Sequence, residues 1–207
     1  NSNIPRVIFY IPALDSGGPQ QVFYELLRAM PRTEIEPVLL TNNGEGALRQ
    51  KVEALGVEVY SLDSAKRYPF KEFVTFLRGF EADLVICTLN SITTAATAKL
   101  LYRIPIPIIA RPANHLTQSS RELFRKNPLK YGLAWIVNVL SLHVAKHIVC
   151  QSEDIKIDLK RYLVPARRLS VIGNPVPPSV IRSTSGEFVG EPQGHLKLVS
   201  LGRLTRQ

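Results

Sequence analysis

A chain of 207 residues with 45% hydrophobic and 21% charged residues can bury a real core, which excludes a disordered polymer and a small disulfide-stapled module. Its two cysteines, Cys87 and Cys150, each close an apolar run, so buried thiols in a reducing, cytoplasmic setting are expected over a redox or metal site. The net charge of +9 is concentrated: residues 1–98 carry 9 basic and 11 acidic groups, residues 99–168 carry 13 and 4, and the rest 4 and 2.

In chain order, Val7–Ile11 reads as a first strand and Pro19–Met30 as a helix, with Val22, Leu26 and Met30 on its inner face and Pro31 as its stop. Val38–Thr41 is a second strand. A helix marked by Leu48, Val52 and Leu55 follows, which Gly56 can end. Val57–Leu62, Leu84–Cys87 and Ile106–Ala110 read as further strands, separated by a Phe-rich helix over Phe70–Phe80 and an alanine-rich one over Thr93–Leu101. Strands apolar on both faces that alternate with helices predict an open, mostly parallel α/β sheet with helices on both sides, Rossmann-like in plan.

Beyond Ala110 the pattern loosens. Arg111–Lys130 is polar and basic, a long loop with some helix. Leu133–Val144 is apolar nearly all round, too short to span a bilayer, and is expected to pack as core or to lie at an interface. His147–Gln151 and Leu169–Ile172 are the last strands, with Ser152 placed to cap the helix between them. Residues 1–175 are thus one domain. Residues 176–195, rich in Pro, Ser and Gly, read as a linker, and residues 196–207 as the first strand of a second domain that breaks off.

Three features point to ligand chemistry. The loop after the first strand contains Gly17-Gly18-Pro19, which lets backbone amides at a helix N-terminus come close to an anion. It is neither a dinucleotide fingerprint, since Thr41-Asn42-Asn43 supplies no acid, nor a P-loop. Arg111, Asn114 and His115 follow the fifth strand and share the edge of the sheet with those glycines. His143 and His147 straddle a helix-to-strand junction and do not form a metal pair, so no metal is expected. The basic stretch attracts anions, yet it lacks the aromatic interleaving and the module of a nucleic-acid binder. It also surrounds an apolar helix, which suits peripheral contact with an anionic membrane.

Five segments in this order carry a resemblance: Gly17-Gly18 running into Gln21–Leu26, then Ala82–Ile86, Ile148–Ser152, Val171–Val176, and Leu198–Leu204. Together the chain resembles the N-terminal half of the GT-B glycosyltransferases, in particular the large retaining family that builds bacterial cell-surface glycans. That resemblance implies transfer of a sugar from a nucleotide-diphosphate sugar to a glycan or lipid-linked acceptor, without a cofactor. It implies donor-phosphate contacts at Gly17, Gly18 and Arg203, a catalytic His115, and acceptor contacts at Arg111 and Asn114. A GT-B nucleotide-sugar epimerase and a two-lobed periplasmic-type binding protein are the competing readings, and the fragment alone is expected to be inactive.

Overall fold

The computed structural model describes residues 4–117 and 128–176. The chain divides into two compact units, 1–175 and 176–207, and the elements that follow lie in the first. They are β1 (Arg6–Tyr10), α1 (Gly18–Ala29), β2 (Glu36–Thr41), α2 (Arg49–Glu53), β3 (Glu58–Ser61), α3 (Phe70–Arg78) and β4 (Leu84–Thr88). After these come α4 (Asn90–Tyr102), β5 (Ile108–Arg111), α5 (Pro128–Val144), β6 (His147–Cys150), α6 (Glu153–Lys160) and β7 (Leu169–Val171).

All seven strands pair in parallel in the order β3-β2-β1-β4-β5-β6-β7. Strand direction of build-up reverses between β1 and β4. This is the switch point at which doubly wound sheets bind ligands, beyond the carboxyl ends of the strands.

Alternation along each strand sends side chains to both faces, and both are packed. Val7, Phe9 and Ile11 join Phe23 and Leu27 of α1, Leu39 and Val52 in one core. Ile8 and Tyr10 join Phe73, Val85, Ile108, Ile148 and Leu159 in the other. Phe9 meets Phe23 edge-on at 5.5 Å, while Tyr10 stacks on Phe73 at 5.1 Å. The innermost residues of α1 are therefore Phe23 and Leu27. Leu26 and Met30 are only half-buried, because the helix is rotated to bring the large ring onto the sheet.

Two further elements differ from expectation. α4 starts at Asn90, directly after β4, and its Thr93, Thr94, Ala95, Ala96 and Ala98 are buried. These small residues allow it to sit between α3 and α5. α5 is not core on all sides. Ser141, Leu142 and Ala145 are buried at and just beyond its end, whereas Leu133, Ile136 and Leu140 are exposed. The sheet beneath is already covered by α4, which α5 meets along one side, with Thr93 Oγ1 donating to Asn138 Oδ1 at 3.0 Å. Of the polar segment expected over 111–130, residues 118–127 lie outside the described residues. So does the strand expected at 196–201.

Candidate functional site

The carboxyl edge of the sheet is built from the loops after β1, β4 and β5. The loop after β1 is pinned from one side by the loop after β2. Leu14 N donates to the Glu45 carbonyl at 3.4 Å, and Leu48 N donates to the Leu14 carbonyl at 3.0 Å. At Gly46, φ is 137° and a Cβ would come within 2.4 Å of the Leu14 carbonyl carbon, so this close backbone approach requires glycine.

Gly17 and Gly18 are of another kind. Gly17 caps α1 with extended backbone, and the helix has no side-chain cap and no acidic residue in its first turn. A Cβ on Gly18 would meet nothing within 4 Å, and one on Gly17 would meet only the movable side chain of Gln20. The fold does not itself require glycine at either position. The positive end of α1 is thus left open to an anion. At α6 the opposite holds: Ser152 Oγ accepts from Ile155 N at 3.3 Å, and Glu153 and Asp154 occupy the first turn.

At the switch point itself Ser91 joins the two strands. Its Oγ lies 2.7 Å from the Tyr10 carbonyl and 2.6 Å from the Thr88 carbonyl, and it accepts the Thr88 N–H at 3.0 Å. Tyr10 donates its hydroxyl to Asn42 Oδ1 at 2.7 Å. Burial raises the Tyr10 phenol far above its ordinary value, so it stays a neutral donor. Leu89 connects β4 to α4 with φ 56° and ψ −138°, a conformation that costs a leucine about 1–3 kcal/mol. Ser91 and Leu89 carry no sequence signature.

Beside them stands Arg111, the last residue of β5 and 5% exposed. Its carbonyl accepts from Thr88 Oγ1 at 2.8 Å. Its guanidinium donates to Asn174 Oδ1 and, at 3.5 Å, to Gln151 Oε1. Gln151 Nε2 in turn donates to the Ala113 carbonyl at 2.5 Å. Among the described residues no carboxylate pairs with Arg111. Desolvation lowers its pKa, which marks a cation held without a compensating anion. The sequence marks Asn174 only as part of a Gly-Asn-Pro turn, so its partnership with Arg111 comes from the fold.

Asn114 is exposed and His115 half-buried on the same edge. β4 alone separates their strand from β1, so about 10 Å of sheet lies between the two loops. The segment is anchored by Thr117, whose N donates to Asp158 Oδ2 at 3.1 Å and whose hydroxyl bonds Asp158 and Tyr162. Arg203 lies outside the described residues.

Other features are inert by comparison. Cys87 and Cys150 are free and buried, and burial raises both thiols. His143 sits on α5 and His147 on β6, and no cluster among the described residues could hold a metal. A cavity of about 770 Å³ opens at the amino edge, but the Arg6 guanidinium there is committed to Glu36 and its backbone N–H to Asp83. That edge is also opposite the one where such sheets bind ligands.

A model of the family described as Glycosyltransferase Family 4 matches residues 16–180. Comparison with curated proteins finds no match. Among solved structures, HepE of Anabaena in complex with UDP-glucose superposes with a TM-score of 0.62 at 17% identity, over 87% of this chain and 48% of that one. The lipopolysaccharide outer core galactosyltransferase WaaB gives 0.57 at 18%, over 83% and 46%. The UDP-GlcNAc 2-epimerase of Neisseria meningitidis bound to UDP-GlcNAc gives 0.56 at 16%, over 82% and 47%. The chain therefore spans about half the length of these structures, and what it shares with them is the Rossmann-like half of the GT-B fold. With residues 16–180 matched by its family model, the chain belongs to Glycosyltransferase Family 4.

Proposed function

We propose that this chain is the acceptor-side half of an enzyme that moves a sugar from a nucleoside-diphosphate sugar to a hydroxyl of a glycan or lipid-linked saccharide, with retention. The observation that carries this reading is the open N-terminus of α1 at the β1/β4 switch point, where Gly17 and Gly18 leave room that the fold does not need. The family match supports the reaction class. The UDP-glucose held by HepE and the galactosyl transfer named for WaaB support the donor class. Two free buried thiols support a cytoplasmic setting.

In this reaction the bond between the anomeric carbon and the diphosphate oxygen breaks as the acceptor oxygen bonds to that carbon. The departing diphosphate takes up negative charge, and the hydroxyl proton passes to it. The Gly17 N–H is donated to the Asp15 carbonyl and Pro19 has none, so the Gly18 amide and the positive end of α1 stabilise that charge without reorganising, which is the largest lever such a site has. Arg203 is assigned to the same diphosphate by resemblance. His115 and Asn114 face the transferred sugar and the acceptor. Arg111 is too buried to grip a bulky acceptor, and in this scheme it acts by shaping the edge and by its positive field.

The test is product analysis with the full-length protein, offered UDP-glucose, UDP-galactose and UDP-GlcNAc with lipid-extracted saccharide acceptors. Acceptor-dependent release of UDP with an α-linked product supports the reading, since the donor linkage is α. His115→Ala should lower turnover about 100-fold with an unchanged melting temperature. Acceptor-independent interconversion of nucleotide sugars would instead make this an epimerase on the same fold.

A further inference from the structure

Neighbouring strands hold a chain in place only as far as their ladder runs. Between β6 and β7 it ends where Ile172 N donates to the Cys150 carbonyl at 2.8 Å. Beyond that bond the chain opens. Gly173 and Asn174 are exposed, and a Cβ on Gly173 would meet nothing within 4 Å. Among the described residues, the hydrogen bond that ties the chain after Ile172 to the sheet is made by Asn174 Oδ1, which accepts from Arg111 Nη2.

Arg111 is itself fixed. Its backbone stands opposite Thr88 at the end of the β4–β5 ladder, and its carbonyl accepts from Thr88 Oγ1 at 2.8 Å. β6 lies between β5 and β7, so the contact with Asn174 bridges about 10 Å of sheet.

The same Nη2 lies 3.5 Å from Gln151 Oε1, the long limit of a hydrogen bond. A guanidinium only donates, so it decides which end of the Gln151 amide it faces. With Oε1 turned to Arg111, Nε2 is left to donate to the Ala113 carbonyl at 2.5 Å. Two residues after Ala113 comes His115, and two after that Thr117 is bonded to Asp158. The segment carrying Asn114 and His115 is thus held at both ends. The described residues set no carboxylate against Arg111, and a buried cation without one is costly to keep. A position that needed only filling would hold an apolar side chain.

We propose that Arg111 and Asn174 are positioning residues for His115. Asn174 aims the guanidinium, the guanidinium orients Gln151, and Gln151 fixes the Ala113 carbonyl from which the His115 loop departs. Neither residue touches the reacting atoms. The inference rests on the transferase reading and adds to it the contacts that keep His115 in place.

Kinetics and amide hydrogen exchange on the full-length protein test it. Asn174 is exposed, so Asn174→Ala should barely change the melting temperature. Its turnover should fall about 10–100-fold, the cost of misplacing a catalytic group by about 1 Å, with the KM for the donor unchanged. Asn174→Asp retains an acceptor for the guanidinium and should keep most of the turnover. Arg111→Lys keeps the charge but ends one atom short of Nη2, so it should lose as much as Asn174→Ala. Combining Asn174→Ala with Arg111→Lys should cost no more than either alone, because both break one chain of contacts. Amides of Ala113–Leu116 should exchange about tenfold faster in both single variants. Unchanged exchange in that segment would overturn the inference, whatever reaction the enzyme performs. So would normal turnover in Asn174→Ala or Arg111→Lys, or losses that multiply in the double variant. Faster exchange and slower turnover in an enzyme that only interconverts nucleotide sugars would sustain the positioning role and strike the transferase reading instead.

Discussion

The carboxyl edge of the sheet has two parts that meet an anion in opposite ways. Around β1 and β4 no basic side chain follows either strand among the described residues, and the one charged group in the loop after β1 is the exposed Asp15. The polar groups are spent on one another through Ser91, Tyr10 and Asn42, and what remains is the bare end of a helix beside two glycines. Around β5 to β7 the resource is a buried guanidinium, against which the described residues set amide oxygens and no carboxylate. The first part offers geometry and the second offers charge. In the proposed reaction, a ligand that spanned both would have its phosphate at the end of α1 and its remainder in the field of Arg111.

The two kinds of glycine on this edge give the sharpest way to break that contrast. In the full-length enzyme Gly18→Val keeps its N–H but fills the space an anion would use, and exclusion of the anion should cost about 100–1,000-fold in transfer, as much as losing one preorganised donor. Its melting temperature should stay within a few degrees, since the added atoms meet open space. An active Gly18→Val would leave the helix end without a role. Gly46→Ala should do the reverse. Its Cβ is driven against the Leu14 backbone, so chemical denaturation should show a loss of about 2–3 kcal/mol. A neutral Gly46→Ala would mean that the β1 loop is not pinned as described.

The smallest expected effect sits on the charged side. Asp158 accepts from both the backbone and the hydroxyl of Thr117, two residues after His115. Asp158→Asn keeps the volume but turns part of that acceptor into a donor facing the Thr117 N–H. It should cost about 1–2 kcal/mol in denaturant unfolding. Because it loosens the segment that carries His115, turnover should fall while the KM for the donor stays level. An Asp158→Asn enzyme with unchanged turnover would uncouple the anchor from the site.

Much of this architecture is legible in the sequence because the strands are apolar on both faces and the breaks between them are sharp. Pro19, Pro31 and Gly56 mark ends where backbone chemistry allows little else. Legibility fails where a neighbour decides. Composition shows α5 as apolar all round, but only the placement of α4 determines which side stays in water. The rotation of α1 follows from the size of Phe23 rather than from periodicity. At the edge, Gly17-Gly18 stands out because glycine pairs are rare and local. The Arg111–Asn174 contact joins residues 63 positions apart, and nothing local announces it.

β4 passes into α4 through Leu89 alone, and Ser91 is already bonded to two strands two residues later. There is no slack in this connection. A flexible loop here would have to be frozen when a ligand arrived, at about 1–2 kcal/mol of lost backbone entropy for each residue ordered. The chain has settled that cost during folding, with a strained leucine as the residue that absorbs it. This side of the crevice therefore meets its ligand as a rigid wall, and binding there should carry little of the entropic penalty that a mobile loop would impose.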